Sequence, residues 1–221
     1  MTPEEILKGL YDNTLIGNAP EVKQLTEQGV ADGMDPESML YDALIPSLEE
    51  VGARFERGDF FVPEMLIAGR AMAGAMEVLR PLLAETGVQT IGKFLMGTVK
   101  GDVHDIGKNL VNIMLEGAGF TVHDLGVNVA PEKFIEAIQE FKPEIVGFSA
   151  FLTTTMPMFK ANINALEKAG IREQVAVMVG GAPVTQEYAD AVGADGYAPD
   201  ASATVKRAKD LLQKKRALVN A

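Results

Sequence analysis

The stretch Gly101-Asp102-Val103-His104-Asp105-Ile106-Gly107-Lys108-Asn109 sets one of the chain's 2 histidines between two aspartates. An imidazole in that setting can ligate a metal through one ring nitrogen while the other donates to a carboxylate, which orients the ring and raises its basicity. It can equally be a loop histidine satisfied by its neighbours, with Asp105 capping the helix that follows, and the spacing alone leaves both readings open. Other chemistries are excluded. A phosphate loop needs four residues between its glycines and Ser or Thr after its lysine, whereas Gly101 and Gly107 enclose five and Asn109 follows Lys108. No G-x-G-x-x-G occurs there. With 0 cysteines the chain has no disulfide, thiolate site or cysteine nucleophile. One histidine with nearby carboxylates is weak evidence for a protein-only metal site. As a ligand, His104 suits the single axial position of a metal already held by a macrocycle, with Asp102 accepting the other imidazole N–H.

The elements that must position this turn fall into two halves. Residues 1–88 repeat apolar side chains at helical spacing and show no strand. Thr2-Pro3-Glu4-Glu5 is a helix start, Asp35-Pro36 and Val62-Pro63 each open another helix, and four amphipathic helices predict a small bundle. Residues 89–221 alternate short apolar runs with helical stretches. The runs IGKFLMGTV, FTVHDLG, EIVGFSA, VAVMVGG and ADGYAPD are strand candidates, apolar enough on both faces for a buried parallel sheet. The fold expected is α/β: a helical bundle cap, then a doubly wound, flavodoxin-like domain of five parallel strands. Ligands of such a sheet bind at the carboxyl ends of its strands, which selects the loops 97–107, 125–131, 149–157, 180–184 and 197–201. His104 lies in the first of these, and His123 falls at the end of the second strand.

Composition narrows the partners. With 47% hydrophobic and 23% charged residues the chain can bury a core. The net charge of −11 argues against nucleic acid or an anionic membrane surface as a main partner. The basic run Lys214-Lys215-Arg216 reads as a helix end complementing its dipole. No stretch approaches a membrane span, and the acidic start MTPEEILKGLYDN is unlike a signal peptide, so a cytoplasmic location is expected.

Three features together carry a resemblance. Asp102-Val103-His104-Asp105-Ile106-Gly107 has the form D-x-H-x-x-G, Ser149 follows Gly107 after 41 residues, and Gly180-Gly181 closes the fourth strand. In this order they resemble the D-x-H-x-x-G, S-x-L, G-G signature of cobalamin-binding domains, and GDFFVPEMLIAGRAM resembles the helical cap of methionine-synthase-type modules. The resemblance implies a bound cobalamin, methylcobalamin or a related corrinoid, with His104 on cobalt and Asp102 as its hydrogen-bond partner. Thr155, six residues after Ser149, falls on the hydroxyl of the family's ligand triad. By the same resemblance Gly107 belongs to the cobalamin motif, Ser149 and Thr153 line the slot for the nucleotide tail, and Gly180 and Gly181 let the tail pass close to backbone. Phe61, Met65 and Met72 are assigned a capping role over the corrin; by spacing alone these two methionines read as core filling. One position departs from the motif: Phe151 stands where S-x-L has leucine, with Leu152 next to it, and reads as an altered packing residue beside the tail.

The chain is too short for the barrels of methionine synthase. What it resembles is the free-standing corrinoid protein of methyltransferase systems, a methyl carrier within a multi-protein system rather than a complete enzyme. One partner, a substrate-specific methyltransferase, loads the methyl group from methanol, a methylamine, a betaine or a methoxylated aromatic. A second, acceptor methyltransferase passes it to a thiol or folate-type carrier, and the scheme leaves room for a reductive activation protein. The cap must move to expose the corrin, which puts a hinge near residues 84–92. The alternatives are the binding subunit of an adenosylcobalamin-dependent mutase and a non-catalytic cobalamin sensor.

Overall fold

The computed structural model describes residues 1–86 and 90–219. The expected domain boundary at 88/89 and the middle of the expected hinge lie outside the described residues. The chain forms two compact units that divide between Thr90 and Ile91, with Glu116–Gly119 grouped with the first.

The first unit holds α1 (Pro3–Leu15), α2 (Ala19–Ala31), a short α3 (Pro36–Ser38) that continues through a π-helical segment (Met39–Leu44) into α4 (Ile45–Arg57), and α5 (Val62–Thr86). Thr2 opens α1 with a capping box: its hydroxyl accepts from the Glu5 N–H, the Glu5 carboxylate accepts from the Thr2 N–H, and Pro3 takes the first helical position. Gly58 closes α4 in the left-handed region, φ +79°. Ile6, Leu10, Leu25, Leu44, Leu48, Val51, Met65, Met72 and Leu79 are buried, as one apolar stripe per helix requires. The third helix differs from a plain α-helix for a covalent reason. Pro46 has no N–H to continue the ladder, and the Ile45 N–H just before it reaches back to Leu40 O, a five-residue π step. No helix among the described residues is long and apolar enough to cross a membrane.

The second unit runs β1 (Gly92–Thr98), α6 (Ile106–Gly117), β2 (Phe120–Asp124), α7 (Pro131–Phe141), β3 (Ile145–Ser149), α8 (Pro157–Lys168), β4 (Ala176–Gly180), α9 (Gln186–Val192), β5 (Gly196–Tyr197) and α10 (Ala201–Val219). Every strand pair is parallel and the order is β2-β1-β3-β4-β5. Each of the five expected runs holds one strand, the last shortened to two residues. Leu95, Val146, Phe148, Val177 and Val179 join Phe134 and Phe159 in one core. The alternate residues Phe94, Met96, Ile145 and Met178 are buried as well. Burial on both faces is why the strands read as unbroken apolar runs. Phe134 and Phe148 meet edge to face at 4.8 Å and 78°, a geometry that adds about 0.5–1.5 kcal/mol to the area they bury.

Two residues of the basic run near the C-terminus reach backbone carbonyls. Lys215 Nζ donates to Glu173 O at 3.1 Å and the Arg216 guanidinium to Ile91 O at 2.8 Å, tying α10 to the sheet unit.

The strand order decides where a site can form. From β1 the chain crosses to β2 and then returns past β1 to β3, so the loops after β1 and β3 diverge and open a crevice at the strands' carboxyl ends. Across that end, Thr98, Ser149 and Gly180 stand side by side in register.

Candidate functional site

Both walls of the crevice are fastened to the sheet by backbone. The Val99 N–H donates to Ser149 O at 3.0 Å, and the Asp102 N–H donates to Val99 O at 3.1 Å, closing a turn that places Gly101 at φ +86°. A third loop braces it: Asn128 Oδ1 accepts the Gly101 N–H at 2.8 Å, and the Asn128 N–H donates to Asp102 O at 2.9 Å. Thr98 Oγ1 donates to His104 O at 3.1 Å. Sequence reasoning selects neither Thr98 nor Asn128. Asn128 carries a faint signal, since a non-glycine residue at φ +55° is most readily Asn; Thr98 offers only its hydroxyl in an otherwise apolar strand.

Asp102 is the centre of the arrangement. It is fully buried, 0% exposed. Its Oδ1 accepts the His104 N–H at 3.0 Å and faces His104 Nδ1 at 2.7 Å. Its Oδ2 accepts the Phe151 N–H at 2.8 Å, the Leu152 N–H at 3.2 Å and the Thr155 hydroxyl at 2.7 Å. Thr155 Oγ1 also lies 2.8 Å from Leu152 O, but one hydroxyl proton serves one acceptor at a time. The ionised carboxylate is the stronger of the two. Burial pushes the Asp102 carboxyl up, but the bonds from Thr155, the His104 backbone and ring, and the Phe151 backbone outweigh it and hold the group well below the usual carboxylate range. An ionised carboxylate only accepts. The proton of neutral His104 therefore sits on Nδ1, and Nε2 carries the free lone pair.

No hydrogen bond among the described residues engages Nε2, and the His104 side chain is 45% exposed. Large apolar side chains in the same two loops and at the start of α6 are left open: Val103, Ile106, Phe151 and Leu152 are all exposed. Phe151 stacks on the imidazole, ring centroids 4.5 Å apart. Asp105 precedes α6 as a capping residue would, its carbonyl accepting the Asn109 N–H at 2.8 Å.

The sequence-selected residues Asp102, His104, Phe151 and Thr155 are brought into direct contact. Ser149 stands at the end of β3, between Thr98 and Gly180, and Thr153 is exposed in the loop beyond it. The glycines divide by what a side chain would meet. A Cβ on Gly181 would lie 1.8 Å from Ala150 O, and φ there is +132°, so the chain itself demands that glycine. A Cβ on Gly180 would come no nearer than 3.8 Å to Ala198 O, and one on Gly107 would meet nothing within 4 Å. Phe61, Met65 and Met72 belong to the helical unit, where Phe61 is exposed and both methionines are buried.

The donor set fits a corrinoid. No group of three metal-ligating side chains occurs among the described residues, so a metal at Nε2 must bring its other ligands with it. The open apolar side chains and the clearance over Gly107 suit a broad apolar partner.

Comparison with known proteins agrees. Family models for a B12 binding domain match residues 92–206 and, for a second B12 binding domain, residues 6–80. Dimethylamine corrinoid protein 1 of Methanosarcina acetivorans is 41% identical over 213 residues, 96% of this chain and 100% of the relative. Trimethylamine corrinoid protein 1 of the same organism is 39% identical, covering 95% and 98%. One chain of a solved methanol:cobalamin methyltransferase complex from Methanosarcina barkeri superposes with a TM-score of 0.83 at 28% identity, over 96% of this chain and 81% of that one.

Proposed function

The chain belongs to the B12-binding corrinoid proteins, and from that premise we propose that it carries a methyl group between two methyltransferases. One would be substrate-specific and load the corrinoid. The other would unload it onto a thiol or folate-type acceptor. The observation that carries the reading is the His104–Asp102 pair: a buried, ionised carboxylate holding a half-exposed imidazole with its lone pair outward.

When bound, the corrinoid supplies a cobalt that takes up and releases the methyl group. The chain's own residues do the rest. His104 would hold the cobalt through Nε2, and Asp102 would fix the tautomer and direction of the ring. Thr155 donates to Asp102 and holds that carboxylate in its ionised, accepting form. Ser149, Thr153, Gly180 and Gly181 would border the nucleotide tail, and Gly107 leaves room beside the ring. Phe61, exposed on the helical unit, would be the capping contact, with Met65 and Met72 shaping α5 beneath it.

Relatives named for dimethylamine and trimethylamine, and a structural relative named for methanol, support a carrier whose donor is chosen by the partner enzyme. The test is a visible spectrum of the protein reconstituted with hydroxocobalamin, wild type beside His104→Ala, followed by methyl loading from dimethylamine, trimethylamine or methanol with the matching methyltransferase. Histidine-ligated features should vanish in the variant, and at least one partner should load the wild type. Unchanged spectra, or no loading by any of the three, would sink the reading.

A further inference from the structure

One contact in the crevice is explained neither by the ligand, nor by its carboxylate partner, nor by a slot for the tail. The Phe151 ring lies over the His104 imidazole, centroids 4.5 Å apart and planes inclined by 28°. A crowded core does not force the two together, because the His104 side chain is 45% exposed and Phe151 is 52% exposed. Each covers the other from water.

The contact is also anchored. Phe151 donates its backbone N–H to Asp102 Oδ2 at 2.8 Å, while Asp102 Oδ1 faces His104 Nδ1 at 2.7 Å. The three residues close a ring: the carboxylate grips the imidazole by its edge and fastens the residue that covers its face. A single hydrogen bond at Nδ1 fixes that atom but leaves the imidazole free to tilt about the bond. A flat partner on the face removes this freedom. Position 151 is where the chain departs from S-x-L, and a leucine there could fill space but offers no plane.

We propose that Phe151 is a positioning residue for His104, its ring holding the imidazole plane so that Nε2 keeps one direction before the corrinoid arrives. The inference rests on His104 being the ligand. Preorganisation of this kind lowers the ordering cost of binding.

Three measurements test it, on wild type, Phe151→Leu, which restores the motif residue, and Phe151→Tyr, which keeps the plane, with His104→Ala as the control for the two that use the corrinoid. In the apoprotein, the carbon-bound ring protons of His104 should show an upfield ring-current shift in wild type and Phe151→Tyr that is lost in Phe151→Leu. With hydroxocobalamin, Phe151→Leu should bind about three- to tenfold more weakly, the loss of one aromatic pair. After reduction to cob(II)alamin in protein labelled with 15N-histidine, whose doublet is distinct from the triplet of the cofactor's own base, fewer Phe151→Leu molecules should show the histidine doublet in the electron paramagnetic resonance spectrum, and Phe151→Tyr should recover it. Exposure of Phe151 makes both variants compatible with folding.

If His104→Ala abolishes the histidine doublet while Phe151→Leu keeps wild-type affinity and doublet, the proposal falls and the ligand reading stands. The proposal falls in the same way if the ring-current shift is missing from wild type. If His104→Ala keeps the histidine doublet, the ligand reading itself fails and takes this one with it.

Discussion

Asp102 Oδ1, with no solvent exposure, lies 2.7 Å from Nδ1 of His104, whose side chain is 45% exposed. The buried partner dictates the state of the open one. Asp102→Asn tests this, because an amide has only one acceptor oxygen. Three donors converge on Oδ2, so the amide oxygen goes there and the NH2 group replaces Oδ1. Facing a donor, Nδ1 must become the acceptor and the imidazole proton moves to Nε2, which can then no longer ligate. Histidine-ligated corrinoid should fall by about 10- to 100-fold in affinity relative to wild type. Titration of the visible spectrum measures it; an unchanged affinity would show that Asp102 does not set the tautomer.

Thr155 is the second test of the same carboxylate. Thr155→Val keeps the shape and removes the hydroxyl, so the apoprotein should lose about 1.5–3 kcal/mol, as for a hydrogen bond to a charged acceptor. Urea unfolding followed on the sheet unit reads the change, with Thr155→Ser as the rescue. A loss below about 0.5 kcal/mol would give the proton to Leu152 O instead.

Much of this is legible in the sequence because it depends on patterns the chain writes along itself. Apolar runs buried on both faces mark the strands, and the resemblance carried by D-x-H-x-x-G, Ser149 and Gly180-Gly181 selects Asp102, His104 and Thr155, which meet in the crevice. What cannot be read acts across loops or through backbone. Thr98 and Asn128 brace the turn by single bonds to main-chain atoms, and no local spacing announces such partners. Phe151 reads as packing beside the tail because stacking depends on where two loops bring two rings. The π segment before Pro46 is hidden for another reason: helical periodicity tolerates one extra residue in a turn, and only the missing N–H betrays it.

The pH dependence of apoprotein stability follows from the depressed pKa of Asp102. The unfolded chain protonates this group near 3.9, whereas the folded chain does so at lower pH. Between those values the unfolded state holds more protons, and stability falls as the pH drops. The contribution of Asp102 is thus complete above the ordinary carboxylate range, declines through it, and is gone below the folded pKa. The margin of wild type over Asp102→Asn should shrink on acidification from about pH 5 downward. Denaturant midpoints taken in steps of pH give the curve; a margin that stays level down to pH 3 would contradict it.

The glycines separate what the chain needs from what a ligand needs. Gly181→Ala would put a methyl group 1.8 Å from Ala150 O in a backbone conformation that side chains avoid, so it should destabilise the apoprotein outright. Gly107→Ala has the opposite expectation. It is the second residue of α6 with nothing within 4 Å of a Cβ, and replacing such a glycine by alanine stabilises by about 0.4–1 kcal/mol, chiefly by restricting the unfolded chain. The apoprotein should melt at the same temperature or higher. If the space over Gly107 belongs to a corrinoid, the same variant should bind hydroxocobalamin more weakly. Gly180→Ala, with 3.8 Å of clearance, should likewise spare stability and weaken binding. Thermal melts of the apoproteins beside binding titrations distinguish the cases, and a Gly107→Ala protein that is both more stable and binds as tightly as wild type would move the ligand away from α6.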